Sequence, residues 1–253
     1  MCAVLQTLSQ LGRETARIVL HASCVVCGGE LPWRARTDSC CGECWRSLPL
    51  IAGAKCQSCA QPFASGDVAA ARCIGCMTDP LPVGWTDAWG HYRGALERVL
   101  HAFKFQRHDW FSEPFADALR ELVLARGDAA FDAAFDAPFD AVVPVPMSRA
   151  KLRRRGYNQA ELLGRALARR LGLRCDTAIL AKRLERRTQS TLDKAQRAAN
   201  VRGAFAASAR GKSKSILLVD DVCTTGETLR ACASALLAAG AARVCAVVVA
   251  KAT

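Results

Sequence analysis

Ile216-Leu217-Leu218-Val219-Asp220-Asp221-Val222-Cys223-Thr224-Thr225-Gly226-Glu227-Thr228 runs from four apolar residues into two adjacent acids and then into a Thr/Gly loop. The apolar run predicts a buried strand over 215–220, and the stretch after the loop predicts a helix over 227–239. A corner of this kind suits an anion. Loop N–H groups and the amino end of the helix converge on one point, and Thr224, Thr225 and Thr228 add hydroxyl donors. Gly226 lets the backbone come close to a phosphate. The carboxylates of Asp220 and Asp221 can accept hydrogen bonds from a sugar diol and help to hold a divalent cation.

Working outward, strands and helices alternate. Strands are expected over 85–92, 141–146 and 243–250, and helices over 94–106, 111–125 and 158–171. A biased Phe-Asp-Ala segment at 129–141 reads as a loop. The alternation implies an α/β fold, a parallel sheet with flanking helices, with ligands at the carboxyl ends of the strands.

The front of the chain is different. Of fourteen cysteines, ten precede residue 77. Cys24, Cys27, Cys41 and Cys44 form C-x2-C-x13-C-x2-C, and Cys56, Cys59, Cys73 and Cys76 repeat it 32 positions later. An internal duplication at fixed period marks two copies of one small unit. Each copy supplies four thiolates, the ligand set of a closed, structural zinc site. Two zinc ions are therefore expected. Sequential pairing within each copy and interleaved pairing between copies share this signature. Cys40 is out of period and reads as a spectator. The chain divides at the turn-rich 77–84 stretch, into 1–77 and 78–253.

No apolar run has the ~18 residues a membrane span needs. The first twenty residues read as an amphipathic helix rather than a signal peptide, which points to the cytoplasm. The net charge of +12 is uneven: residues 147–187 hold +10 and 188–214 hold +5. Such a concentration suits a polyanion, either a phosphorylated small molecule or nucleic acid, although solvated arginine faces give the same count.

The 219–228 stretch resembles the phosphoribosyl pyrophosphate signature of type I phosphoribosyltransferases: strand, two acids, Thr-Thr-Gly and a further Thr. That resemblance implies that Asp220 and Asp221 contact the ribose hydroxyls, with Mg2+ accompanying the ligand. It assigns the 5-phosphate to Thr224, Thr225, Gly226, Glu227 and Thr228. Further stretches are Pro144-Val145-Pro146-Met147-Ser148, Lys151-Leu152-Arg153-Arg154-Arg155-Gly156-Tyr157-Asn158-Gln159, Gln189-Ser190-Thr191-Leu192 with Arg197, Asn200, Val201 and Phe205, and His101-Ala102-Phe103-Lys104-Phe105. With the duplicated cysteine unit they resemble the ComF (competence protein F) family, including its GntX-type members. Such proteins join a double zinc ribbon to a type I phosphoribosyltransferase-like domain.

The resemblance implies that the loop after 141–146, through Pro146 and Ser148, meets the pyrophosphate. Arg153 and Arg155 are the candidates for its bidentate recognition. Asn158 either caps the next helix or touches ligand. The polar segment with Arg186, Arg187, Gln189 and Arg197 is a candidate lid. A role in DNA uptake, with single-stranded DNA or uptake machinery as partner, is what family membership implies. Three functions remain open: a transferase acting on a nitrogen nucleophile, a non-catalytic phosphoribosyl pyrophosphate binder serving DNA utilisation, and a nucleotide-salvage enzyme.

Overall fold

The computed structural model describes residues 23–31, 39–63, 72–130, 139–183 and 203–252. The amphipathic helix expected at the start lies outside them. So do residues 131–138 of the Phe-Asp-Ala segment and the lid residues Arg186, Arg187, Gln189 and Arg197.

Strands β1 (Thr86–His91), β2 (Ala141–Pro144), β3 (Arg174–Cys175), β6 (Ser215–Cys223) and β7 (Arg243–Lys251) form a parallel sheet in the order β1-β7-β6-β2-β3. Two short strands, β4 (Leu180–Lys182) and β5 (Phe205–Ala207), pair antiparallel outside it. They bracket the candidate lid segment in sequence.

Helices cover both faces. Leu217 and Val219 of β6 join a cluster with α3 (Gly94–Phe105), α4 (Ser112–Ala130) and α6 (Gln159–Leu171), through Phe103, Phe115, Leu119, Leu163 and Leu167. Ile216 and Leu218 face the other way, onto Leu229, Cys232 and Leu236 of α7 (Glu227–Ala238). Two-residue periodicity thus gives one strand two buried faces, which is why it reads as a continuous apolar run.

From β2 the chain crosses through α6 to β3, whereas from β6 it crosses through α7 to β7 on the opposite side. The carboxyl ends of β2 and β6 therefore flank a topological switch point, where open α/β sheets bind ligands.

Three local differences from expectation have physical reasons. β6 runs on to Cys223, because its pairing with β7 continues from Ser215↔Arg243 to Cys223↔Lys251 and carries both acids inside the strand. The cationic stretch expected as a loop is instead helix α5 (Arg149–Arg155). Ser148 caps it, its side chain accepting from the Lys151 amide, and it ends at Gly156. Helix α4 continues to Ala130, beyond the expected end at 125, into the first residues of the biased segment.

The cysteine-rich front packs on the β1 side of the sheet. Its helices are α1 (Gly42–Arg46) and α2 (Ile74–Thr78), one per copy. The segment between the copies lies along β1: Ile51 donates its amide to the Trp89 carbonyl, His91 donates to Pro49, and Leu50 bridges Gly90.

Candidate functional site

Asp220 and Asp221 sit at the carboxyl end of β6, and Thr224, Thr225 and Gly226 turn the chain into α7. Gly226 has φ +86°, a left-handed backbone that a side chain would strain, and an added Cβ would also meet Leu81 at 3.2 Å. As N-cap of α7, Gly226 contributes no side-chain hydrogen bond. The Glu227 amide donates to Thr225 Oγ1 at 3.5 Å, and the amides that follow in the first turn keep their capacity for an outside acceptor. Thr224, Thr225 and Thr228 are solvent-exposed at this corner, and Glu227 in the first turn lies 3.5 Å from Arg230. From below, the buried Lys251 ammonium donates to the carbonyls of Thr224 and Ala252, bracing the loop without reaching the acids.

The acids are electrostatically loaded. Withdrawal from water, followed by the like charge of Asp221, pushes the Asp220 carboxyl well above its usual range. The Asp221 amide and the more distant Lys104 relieve it only in part. Lys104 Nζ lies 3.0 Å from Asp221 Oδ2 and 5.7 Å from the centre of the Tyr92 ring. Among the described residues it is the only side-chain cation paired with either acid. The two adjacent carboxyl groups form an oxygen donor set that suits Mg2+ together with a ribose diol.

Beside this corner, the amide of Val145 bonds to the carbonyl of Val219, so Pro146 and Ser148 follow immediately next to the acids. Asn158 is fully engaged: its Oδ1 accepts from the Ala160 amide and its Nδ2 donates to the Val145 carbonyl. It is a cap and a brace for the end of β2. Arg155 stacks over Phe105 at 4.5 Å and donates to Gln159 Oε1 at 2.6 Å, whereas Arg153 is exposed on α5. Gln159 Nε2 donates to the Lys104 carbonyl, and the Tyr157 hydroxyl to that of Phe103. The Gly156–Gln159 stretch thereby anchors the end of α3 and positions Lys104. In the sequence Lys104 stands within the His101–Phe105 stretch with nothing to assign it a role. Nothing local distinguishes a lysine near a helix end from a solvated one.

The cysteines form two separate groups, Cys24/Cys27/Cys41/Cys44 and Cys56/Cys59/Cys73/Cys76, each with its four sulfurs within 4.8 Å of one another. Pairing is thus sequential, within each copy. A tetrahedral zinc with bonds of about 2.3 Å sets neighbouring sulfurs about 3.8 Å apart. Cys27 and Cys41 are 3.9 Å apart, and Cys59 and Cys73 are 3.7 Å apart. Against the opposing effect of burial, backbone amides pull the Cys24 thiol down to about 6 and the Cys56 thiol down to about 7, toward the thiolate a metal requires. Cys40 belongs to neither group, and burial followed by the charge of neighbouring cysteines pushes its thiol up to about 12.

The basic excess proves divided. Arg169 and Arg170 are engaged by Glu113 and Asp117 of α4, while Arg149, Lys151, Arg153 and Arg154 line α5 in the open. No described helix is long and apolar enough to cross a membrane.

Residues 158–253 match the phosphoribosyl transferase domain, and residues 15–77 match the double zinc ribbon domain. Competence protein F of Haemophilus influenzae is 35% identical over 143 residues, which cover 55% of this chain and 61% of that protein. DNA utilization protein YhgH of Escherichia coli (strain K12) is 30% identical over 189 residues, covering 75% of this chain and 80% of that protein. Competence protein ComFC of Bacillus subtilis is 26% identical over 234 residues, covering 87% and 90%. A solved glutamine phosphoribosylpyrophosphate amidotransferase from B. subtilis overlays with a TM-score of 0.35 and 19% identity, over 54% of this chain and 26% of that one, too slight a likeness to carry an argument. With a double zinc ribbon, a phosphoribosyltransferase-type domain and relatives in competence and DNA utilization that match it along most of its length, this chain belongs to the ComF family.

Proposed function

We propose that the domain over 78–253 binds phosphoribosyl pyrophosphate with Mg2+ at the carboxyl end of β6, in the service of DNA utilisation. The observation that carries the reading is the β6 corner: two adjacent acids followed by exposed threonines and a left-handed glycine that opens a helix without capping it. In this reading Thr224, Thr225, Gly226, Glu227 and Thr228 hold the 5-phosphate, and Asp220 and Asp221 take the ribose hydroxyls. Pro146 and Ser148 border the pyrophosphate. Arg153 reaches the pyrophosphate from α5, and Arg155 joins it by leaving Phe105 and Gln159. Mg2+ would supply charge neutralisation at the leaving group, and the acids would support positive charge developing on the ribose.

The 1–77 unit carries two structural zinc ions, one per four-cysteine group, and its thiols fit the reducing cytoplasm. The names of the relatives bring competence and DNA utilisation to this chain as the proposed process, and the exposed basic face of α5 offers single-stranded DNA or uptake machinery a surface. Turnover separates a transferase, including a salvage enzyme acting on a nitrogenous base, from a binding protein. Pyrophosphate release on addition of an acceptor is the discriminating measurement.

The binding test is calorimetric. Wild-type protein should take phosphoribosyl pyrophosphate in a Mg2+-dependent way. Asp221→Asn or Thr225→Val should weaken it by about 1.5–3 kcal/mol, roughly tenfold to a hundredfold, without unfolding. Unchanged affinity in both variants sinks the site assignment.

A further inference from the structure

Lys104 lies on α3, more than a hundred residues before the strand it serves, yet its ammonium reaches Asp221 Oδ2 at 3.0 Å. The geometry is constructed rather than incidental. The Lys104 carbonyl is held by Gln159 and the Phe103 carbonyl by Tyr157, so the last turn of α3 is tied to the segment that follows α5. The ammonium lies over the Tyr92 ring, 5.7 Å from its centre, and the side chains of Lys104 and Asp221 are only 17% and 12% exposed. The nearby ammonium of Lys251 is committed to two backbone carbonyls, so among the described residues only Lys104 pairs with the acids.

We propose that Lys104 is a ligand-binding residue that exchanges partners when ligand binds. In the free protein its ammonium occupies the cationic position at Asp221. On ligand binding it yields that carboxylate and turns to an anionic oxygen of the bound phosphoribosyl pyrophosphate. This deepens the proposed function and rests on it. Two physical arguments support the exchange. An ammonium and a divalent cation repel each other when they share one carboxylate oxygen, so each excludes the other from Asp221. Lysine is a compact point charge on a flexible four-carbon stem, able to swing between neighbouring anions, whereas the planar fork of arginine is fixed in direction. Lys104 therefore discriminates: it keeps free divalent cations off the acids and admits them only with an anionic ligand that gives the ammonium somewhere to go.

The test uses full-length, zinc-loaded protein and two probes: Mn2+ alone, read by electron paramagnetic resonance, and phosphoribosyl pyrophosphate in fixed Mg2+, read by calorimetry. Lys104→Met keeps an unbranched side chain without the charge, and Lys104→Arg preserves the charge. With Lys104→Met, affinity for Mn2+ alone should rise about tenfold or more, while affinity for phosphoribosyl pyrophosphate should fall by roughly tenfold to a hundredfold. Lys104→Arg should restore most of the exclusion of Mn2+ and less of the ligand affinity. Opposite shifts are the signature, because a merely structural lysine would lower both affinities together. Parallel losses or unchanged affinities for both probes overturn the exchange. If wild-type protein binds no phosphoribosyl pyrophosphate, the proposed function falls and the exchange falls with it. Ligand binding by the wild type with no opposite shifts in Lys104→Met overturns the exchange alone.

Discussion

The two cysteine units share a backbone and differ in what they grip. Cys24 donates its amide to Gly29 and Gly28 donates to Cys24; 32 residues later, Cys56 donates to Gln61 and Ala60 to Cys56. The pairs Ser23↔Glu30 and Lys55↔Pro62 repeat as bridges, and α1 and α2 begin in register with the same period. Their outward side chains diverge. Trp45 of α1 lies 5.7 Å from Trp89, 5.8 Å from Phe115 and nearly parallel to Phe111, planted in the aromatic side of the larger domain. Its counterpart Met77 is 62% exposed, and Ile74 in the same short helix is 79% exposed. The second unit holds on by other means. Gln57 accepts from the Thr86 amide, Lys55 pairs with the buried Asp87, and just beyond the unit Asp79 and Pro80 accept from Arg230 of α7. Duplication has preserved the metal knuckle, which its covalent spacing dictates, and left the attachment free to diverge.

The largest effects should come from the metal. Wild-type protein should contain two zinc ions per chain, Cys41→Ser and Cys73→Ser one each, and Cys40→Ser two, as read by elemental analysis. In isolated zinc-finger peptides, structural zinc contributes about 10–16 kcal/mol of binding free energy, so either loss should unfold its own unit. Only Cys41→Ser should also alter the near-ultraviolet circular dichroism of the Trp45–Trp89–Phe115 cluster. Equal spectral changes in the two variants would break the contrast drawn above.

Next comes packing. Trp45→Ala should cost about 2–4 kcal/mol in urea unfolding, somewhat below the value for a fully buried tryptophan because the ring is only half-buried. Met77→Ala should stay within about 0.5 kcal/mol. A Met77 cost comparable to that of Trp45 would mean that the second unit is also held by its helix.

The smallest effect is conformational. Gly28 and Ala60 occupy the same place in their knuckles, and both have left-handed backbones, φ +73° and +59°. Open space surrounds the position where a Gly28 Cβ would lie, so Gly28→Ala should cost only its backbone strain, about 1 kcal/mol. Ala60 is fully buried, so Ala60→Gly relieves the strain but gives up the methyl's burial, and the two should nearly cancel, to within about 1 kcal/mol. Chelator-challenged melting would measure both, and a loss well above about 1 kcal/mol in Ala60→Gly would show that packing outweighs strain at the second knuckle.

Which features the sequence disclosed follows from the range of the forces involved. The β6 corner and the cysteine period are local patterns, so strand, loop, helix and metal groups could be read directly. Helix α5 escapes a periodicity reading because its cationic run has only Ala150 and Leu152 as apolar residues, both exposed, and therefore no apolar stripe; only the cap at Ser148 and the stop at Gly156 announce it. The seat of Trp45 and the reach of Lys104 depend on partners 44 or more positions away, which a single sequence does not pair. Sequence left the pairing of the knuckles open as well, and the sulfur positions resolve it.

The strip between the two units, Pro49 to Ile51, has a consequence beyond tethering. β1 ends the sheet on that side, and its outer row of backbone groups would otherwise be a template for another chain's strand. The strip occupies that row while being held between two metal knuckles, and the opposite margin is blunted by brevity, β3 having two residues. Zinc supply is thereby coupled to solubility: chelation should release the strip and open an adhesive margin beside Trp89, so that the first sign of metal loss is aggregation.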